Sequence, residues 1–179
     1  MGIMKKQRDQ EPEAVVSLRM WKYSDALKAV PYIRSLMQSL REGWLEMRQA
    51  QHVVERTKAR PGRPNRDTLI LLEESQRDVE RHEAGLEEIV TEMLALSTYC
   101  VDPGAGLAVI PFLRGQELAW YVFDLFDPQG IVAWRLYSDP LETRRPLAEL
   151  DTPAPAAEPS EQSSFTIPAP PAPGFENLN

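Results

Sequence analysis

The fold turns on ALKAVPYIRSLMQSLREGWLEMRQAQHVV, residues 26–54. Its apolar positions recur at alternating steps of four and three, through Ala26, Val30, Ile33, Met37, Leu40, Trp44 and Met47 to Val54, with only Gln51 polar. That spacing is the seam of a helix that packs on another helix. A second seam runs through Leu72, Ser75, Val79, His82, Leu86, Ile89, Met93, Leu96 and Cys100 with the steps in reverse order. Mirror partners such as Leu40 with Leu86 and Ile33 with Met93 are centred on Arg63, inside Arg60-Pro61-Gly62-Arg63-Pro64. Any two heptad seams align in some antiparallel register, but here the mirror point coincides with the strongest turn signal nearby. The reading is an antiparallel αα-hairpin over residues 24–100.

Several local expectations follow. Ser24-Asp25 suits a helix N-cap followed by an acid in the first turn. Pro31 removes one backbone donor two turns in, which favours a kink or a break, but the seam continues through it, so one bent helix is expected. Asn65 or Asp67 caps the second helix, which should end near Thr98 to Val101. Gln51 faces Ser75 as a polar rung, and His82 falls opposite Trp44, where a packed core histidine is the expected role. Gly43 and Gly85 lie beside the seam, where small residues let another layer, most simply a sheet, come close.

After Asp102-Pro103-Gly104-Ala105-Gly106 the period changes to two. The glycines follow a helix and precede a strand, the reverse of the order a dinucleotide-binding loop needs, so they read as a turn. Three strands are expected, Leu107 to Phe112, Glu117 to Phe126 and Ile131 to Tyr137, forming an antiparallel meander over residues 107–137. One face gathers Ile110, Phe112, Ala119, Tyr121, Phe123, Leu125, Val132, Trp134 and Leu136 and must be buried, most simply on the helices. The other carries Leu118, Trp120, Val122, Asp124, Phe126, Ile131, Ala133, Arg135 and Tyr137, apolar enough to suggest a second covered surface. Pro111 marks the first strand as an edge. The fold class is therefore α+β, a coiled-coil-like helical hairpin packed on a three-stranded meander.

A chain of 179 residues with 42% hydrophobic content supports one core. The domain is expected over 18–151, with a loose leader at 1–17, a connector at 138–151 and a disordered Pro/Ala-rich tail at 152–179. Cys100, the single cysteine, excludes a disulfide framework and points to a reducing, cytoplasmic setting. The early residues lack a signal-peptide pattern, and no apolar run reaches the roughly 20 residues a membrane span needs, so no membrane partner is expected.

The order of these parts resembles the bacterial domain-of-unknown-function 2203 family over roughly residues 20–148. The likeness is carried by Tyr23-Ser24-Asp25-Ala26 with Pro31, the helical pair, the Trp-bearing last strand, and Asp139 with Arg144-Arg145-Pro146-Leu147. Members tend to carry Cys-Trp on the middle strand and Trp-His on the last, where this chain reads Val122-Phe123-Asp124 and Trp134-Arg135. Any polar site those family residues form is thus changed or absent here, and the resemblance implies a fold and no activity.

Function is bounded mostly by what is missing. There is no metal-spaced His/Cys cluster, nucleophile elbow or phosphate loop, and only His52 and His82 are available for acid–base work. No catalytic residue, cofactor or metal is expected, and the first reading is a non-catalytic interaction or structural module with a protein partner or a second copy of itself. A net charge of −7 argues against general nucleic-acid binding, but the charge is segregated. The second helix is acidic, whereas Arg56, Lys58, Arg60, Arg63 and Arg66 at the hairpin tip are interrupted by no acid. A tip that docks on nucleic acid or another anionic surface is the second reading. A third is a small anionic ligand held by Asp124, Arg135, Arg144 and Arg145, if these converge; an ion pair between Asp124 and Arg135 is the simpler account of those two.

Overall fold

The computed structural model of the protein describes residues 17–151. The leader up to residue 16 and the tail from 152 lie outside the described residues. Two long helices, α1 (Tyr23–Lys58) and α2 (Arg66–Ala95), pack antiparallel. A four-stranded antiparallel sheet follows in the order β1 (Tyr99–Asp102), β2 (Leu107–Arg114), β3 (Glu117–Asp124) and β4 (Ile131–Leu136), and a short 3-10 turn spans Leu147–Asp151.

The hairpin doubles back where the sequence places its turn, between Lys58 and Arg66. Asn65 is the cap of α2, its Oδ1 accepting from the Thr68 amide at 2.8 Å and the Thr68 hydroxyl at 2.7 Å. The cap of α1 is Lys22 and not Ser24; no side chain assists it, and the Asp25 and Ala26 amides donate to the Lys22 carbonyl. Pro31 does not interrupt α1, which is assigned as one helix through it.

The number of strands differs from expectation because α2 stops at Ala95, several residues early. Its last turn closes as a Schellman motif: the Ser97 amide donates to the Leu94 carbonyl and the Thr98 amide to that of Met93, with Ser97 left-handed at φ 53°. Serine stands where glycine usually signals this stop, and its Oγ accepts from the Arg19 amide at 2.9 Å. Residues 99–102, freed from the helix, pair with β2 as β1, and Cys100 lies opposite Ala108 on a strand and not on the helical seam.

With β1 beside it, β2 is an interior strand, contrary to the reading of Pro111. Proline is tolerated because β1 reaches only to Tyr99 opposite Val109. Beyond that point the open side of β2 meets Trp21, whose amide donates to the Pro111 carbonyl at 2.9 Å, so a donor on Pro111 is not required.

The core forms where one sheet face lies on α1. Ala108, Ile110, Phe112, Ala119, Tyr121, Phe123, Ile131 and Trp134 are buried with Ala26, Val30, Ile33, Met37, Leu40 and Met47 of α1 and Leu86 and Met93 of α2. Phe112 stacks on Tyr121 with ring centres 3.9 Å apart. A bulge makes Phe123 face Ile131 while Val122 faces Ala133, so Ile131 turns inward in place of Val132.

Two arginines of α1 hold the sheet's turns. Arg34 donates from Nη1 to the Leu125 carbonyl at 2.5 Å and from Nη2 to those of Asp127 at 2.8 Å and Pro128 at 3.2 Å, gathering the β3–β4 turn. Arg41 Nε donates to the Gly104 carbonyl of the β1–β2 turn at 3.2 Å. Gly130 permits the closest approach: its φ is +78°, and a Cβ there would lie 2.6 Å from Val30 Cγ1.

Two expectations about the helical seam change. A Cβ on Gly43 would meet Leu86 at 3.2 Å, so this glycine admits α2 and not the sheet, and Gly85 has nothing within 4 Å. Trp44 packs under Gly104, its ring 3.3 Å from where a Cβ would be, while His82 Nδ1 lies 3.4 Å from Glu46 Oε2. Indole burial beneath the sheet turn wins over a contact across the helices. Of the polar rung, Ser75 is buried and Gln51 partly so.

Candidate functional site

The core contacts of the helices end at Met47 in α1 and start at Val79 in α2; toward the connecting loop only Thr57 and Ser75 are fully buried among the described residues. From Met47 to Lys58 the hairpin is thus an arm of two helices, roughly 17 Å long at 1.5 Å per residue.

Its end carries the basic residues. Arg56 and Lys58 lie in the last turn of α1, where the carbonyl end of the helix favours cations. Arg60 and Arg63 are in the loop, which reverses with Gly62 at φ +98°. Arg66 opens α2, where the amide end of a helix disfavours a cation, and only Asp67 offsets it locally. All five side chains are exposed, and none has an ion-pair partner among the described residues. Leu69, Ile70 and Leu71, one turn further on, are also exposed. Along α2 the acids are partly neutralised in place, by Arg77 with Glu73 and by Arg81 with Asp78.

The second candidate group is reorganised relative to the sequence reading. Arg135 is 6% exposed and faces Trp120 across β3 and β4. Asp124 lies four residues further along β3, about 13 Å away at strand spacing; its Oδ1 accepts from the Phe126 amide at 2.9 Å, shaping the turn. The β3–β4 register, which sets Arg135 opposite Trp120, keeps the two apart, so the Asp124–Arg135 ion pair is absent.

The acid at the centre of the group is Asp139. Arg145 grips it with two bonds, Nε to Oδ2 at 2.9 Å and Nη2 to Oδ1 at 3.0 Å, and the Leu136 amide donates to Oδ2 at 2.9 Å. The Arg145 hydrogen bond and then that amide hold the Asp139 carboxyl below the usual carboxylate range. Arg145 also pairs backbone to backbone with Trp134, whose Nε1 donates to the Pro146 carbonyl at 3.0 Å. Arg145 is therefore a strut pinning the connector to β4.

Arg135 reaches the same acid only through its backbone, donating from Nη1 to the Asp139 carbonyl at 2.9 Å and to that of Leu136 at 3.4 Å. Burial and then the nearby Arg144 push its proton affinity down. Arg144 is exposed and donates to the Leu141 and Thr143 carbonyls at 2.6 and 3.0 Å. Two of the four expected residues, Arg145 and Arg135, thus meet at Asp139, an acid of the connector, while Arg144 lies near Arg135. The signal for that acid was Asp139-Pro140 directly after the last strand, a turn-forming pair whose side chain caps the strand end.

Burial first, and then Asp102, push the Cys100 thiol up to about 12, which suits a structural thiol and not a nucleophile. Among the described residues no group of three or more His, Cys, Asp or Glu side chains is assembled to hold a metal ion, and no helix is long and apolar enough to cross a membrane. Comparison of the chain with known protein families, curated proteins and solved structures finds no match.

Proposed function

We propose that the protein is a non-catalytic interaction module whose sheet-clamped hairpin presents its basic end to a polyanionic partner, most directly the phosphate backbone of a nucleic acid. The observation that carries this reading is five exposed basic side chains with no acidic partner among the described residues, on an arm that does not contribute to the core. Arg66 adds to it, because a cation at a helix N-terminus has an electrostatic cost that local structure does not explain. The acidic stretch of α2 repels the same partner, so approach is end-on. A reducing, cytoplasmic setting and membership of the domain-of-unknown-function 2203 family belong to the same reading, the first supported by a lone free cysteine and the second by the sequence resemblance alone.

The test is fluorescence anisotropy with a labelled single-stranded oligonucleotide at low salt. Five phosphate contacts give a slope of log K against log salt of about −3.5 for a single strand. Replacing Arg60, Arg63 and Arg66 together by alanine should flatten that slope and weaken binding at least tenfold. No binding by the natural chain, or equal binding by the triple variant, removes the reading.

A further inference from the structure

We propose that the sheet face turned away from the helices binds a small oxyanion, a carboxylate or phosphate group, between Arg135 and Trp120. The two residues are directly opposed in the β3–β4 register, so their side chains leave the same face as neighbours. Both are more than nine-tenths buried, and the Trp120 Nε1–H is a buried donor with no acceptor. Buried donors in folded proteins are nearly always satisfied, and one that is not points to a water or an ion.

Arg135 has the same deficit in charge. Two acids lie near it: Asp139 spends both carboxylate oxygens on Arg145 and the Leu136 amide, and Glu142 is exposed and forms no ion pair with it, leaving Arg135 two backbone carbonyls. Those carbonyls engage Nη1 alone; Nε and Nη2 donate to nothing among the described residues. The Nε–Nη2 edge is the side of a guanidinium that takes an oxyanion through two parallel bonds, as Arg145 does with Asp139 in this molecule. One oxyanion on that edge supplies the missing counter-charge and an acceptor for the indole.

The surroundings favour binding. Tyr99 meets Trp120 edge-on with ring centres 5.6 Å apart, and Tyr137 lies 6.4 Å from it, so the donors stand among aromatic rings where charge-assisted bonds are strong. Arg144 is exposed and close enough to Arg135 to disfavour its charge, a larger effect than the opposite one of exposed Glu142, and it adds positive potential where an anion enters. Neither Asp124 nor the tip arginines take part, so this site stands or falls independently of the hairpin.

The experiment follows the indole N–H resonances of the full chain by two-dimensional NMR, with Trp120 assigned from W120F. Inorganic phosphate and acetate are titrated separately, with sodium chloride at matched ionic strength as control. A saturable shift of the Trp120 indole N–H with phosphate, acetate or both, and not with chloride, is expected, and the stronger of the two names the source. R135Q should abolish the shift. R135K, which keeps the charge but lacks the two-bond edge, should weaken binding at least fivefold. The triple alanine variant of Arg60, Arg63 and Arg66 should titrate as the natural chain does. No saturable shift in the natural chain, an equal response to chloride, or a shift that survives R135Q or is unweakened in R135K overturns the proposal; if R135Q does not fold, the natural-chain and R135K titrations decide it.

Discussion

Replacing Gly130 by alanine strains the contact on which the sheet rests. The backbone there is left-handed at φ +78°, a conformation that costs an L residue about 1–2 kcal/mol. The new methyl would also sit 2.6 Å from Val30 Cγ1 and 3.1 Å from Phe123 Cε2, inside a packed junction. Overpacking of this kind adds about 1–3 kcal/mol, so G130A should lose roughly 2–5 kcal/mol of stability. The two contributions can be separated. V30A alone costs about 1–3 kcal/mol by removing buried methyl groups, but it also vacates the space the alanine needs. In the V30A background G130A should then cost only its backbone share, about 1–2 kcal/mol, leaving a coupling of about 1–3 kcal/mol between the two sites. Urea unfolding followed by circular dichroism measures all four corners of the cycle. If G130A costs under about 0.5 kcal/mol, or costs the same with and without Val30, to within about 0.5 kcal/mol, the β3–β4 turn does not lie on α1 as described.

Arg34→Ala should lose about 2–4 kcal/mol in denaturant unfolding, since three turn carbonyls are left without their charged donor; Arg34→Lys should recover less than half of this because an ammonium cannot span them, and a loss under about 0.5 kcal/mol contradicts the turn contact. Asp139→Asn should be less stable than the natural chain at pH 6. Because Arg145 depresses the folded-state affinity of Asp139 for a proton, its contribution is complete above the ordinary carboxylate pKa of about 3.9 and vanishes as pH falls through the lower folded value. The gap between the two proteins should therefore close below about pH 4, and a gap unchanged down to pH 2.5 would deny the Arg145 contact. Cys100, its thiol raised to about 12 by burial, should resist an aromatic disulfide reagent at pH 8 until the chain is unfolded; labelling at the rate of an exposed thiol argues against its place in β1.

The parts legible in the sequence are those set by periodicity and by strong punctuation. Steps of four and three mark one stripe of each helix whatever lies around it, and Pro61-Gly62 with Asn65 leaves the chain little choice but to turn. Alternation likewise assigns Ile110, Tyr121, Phe123 and Trp134 to the core face. The failures arise where one residue does an unusual job. Ser97 takes a left-handed position that glycine normally announces, so nothing in the residue types stops the helical period before Cys100 or marks β1. One extra residue at Val132 reverses which side Ile131 and Val132 face, and no local residue type signals it. Pro111 marks an edge only if the strand beside it needs its donor, and here the open side of β2 meets the Trp21 amide, which needs an acceptor.

The candidate sites divide in the same way. Exposure of the tip arginines follows from an absence of apolar neighbours and is visible in the chain itself. The grouping of Arg135, Arg144 and Arg145 depends on how residues 138–146 fold back along β4. That return path is set by the Asp139 contacts, which no periodicity encodes. Trp120 joins Arg135 only through the register of β3 and β4, which the bulge shifts relative to simple pairing.

Amide hydrogen exchange along the full chain tests most directly whether the hairpin is a clamped base with a free arm. Protection in β2, β3, β4 and α1 from Ala26 to Met47 should track global unfolding, while α1 beyond Met47 and α2 before Val79 should open locally at clearly lower free energy. Equal protection along both helices, or slower exchange at the tip than beneath the sheet, would mean that the basic end is part of the core and that the arm does not exist.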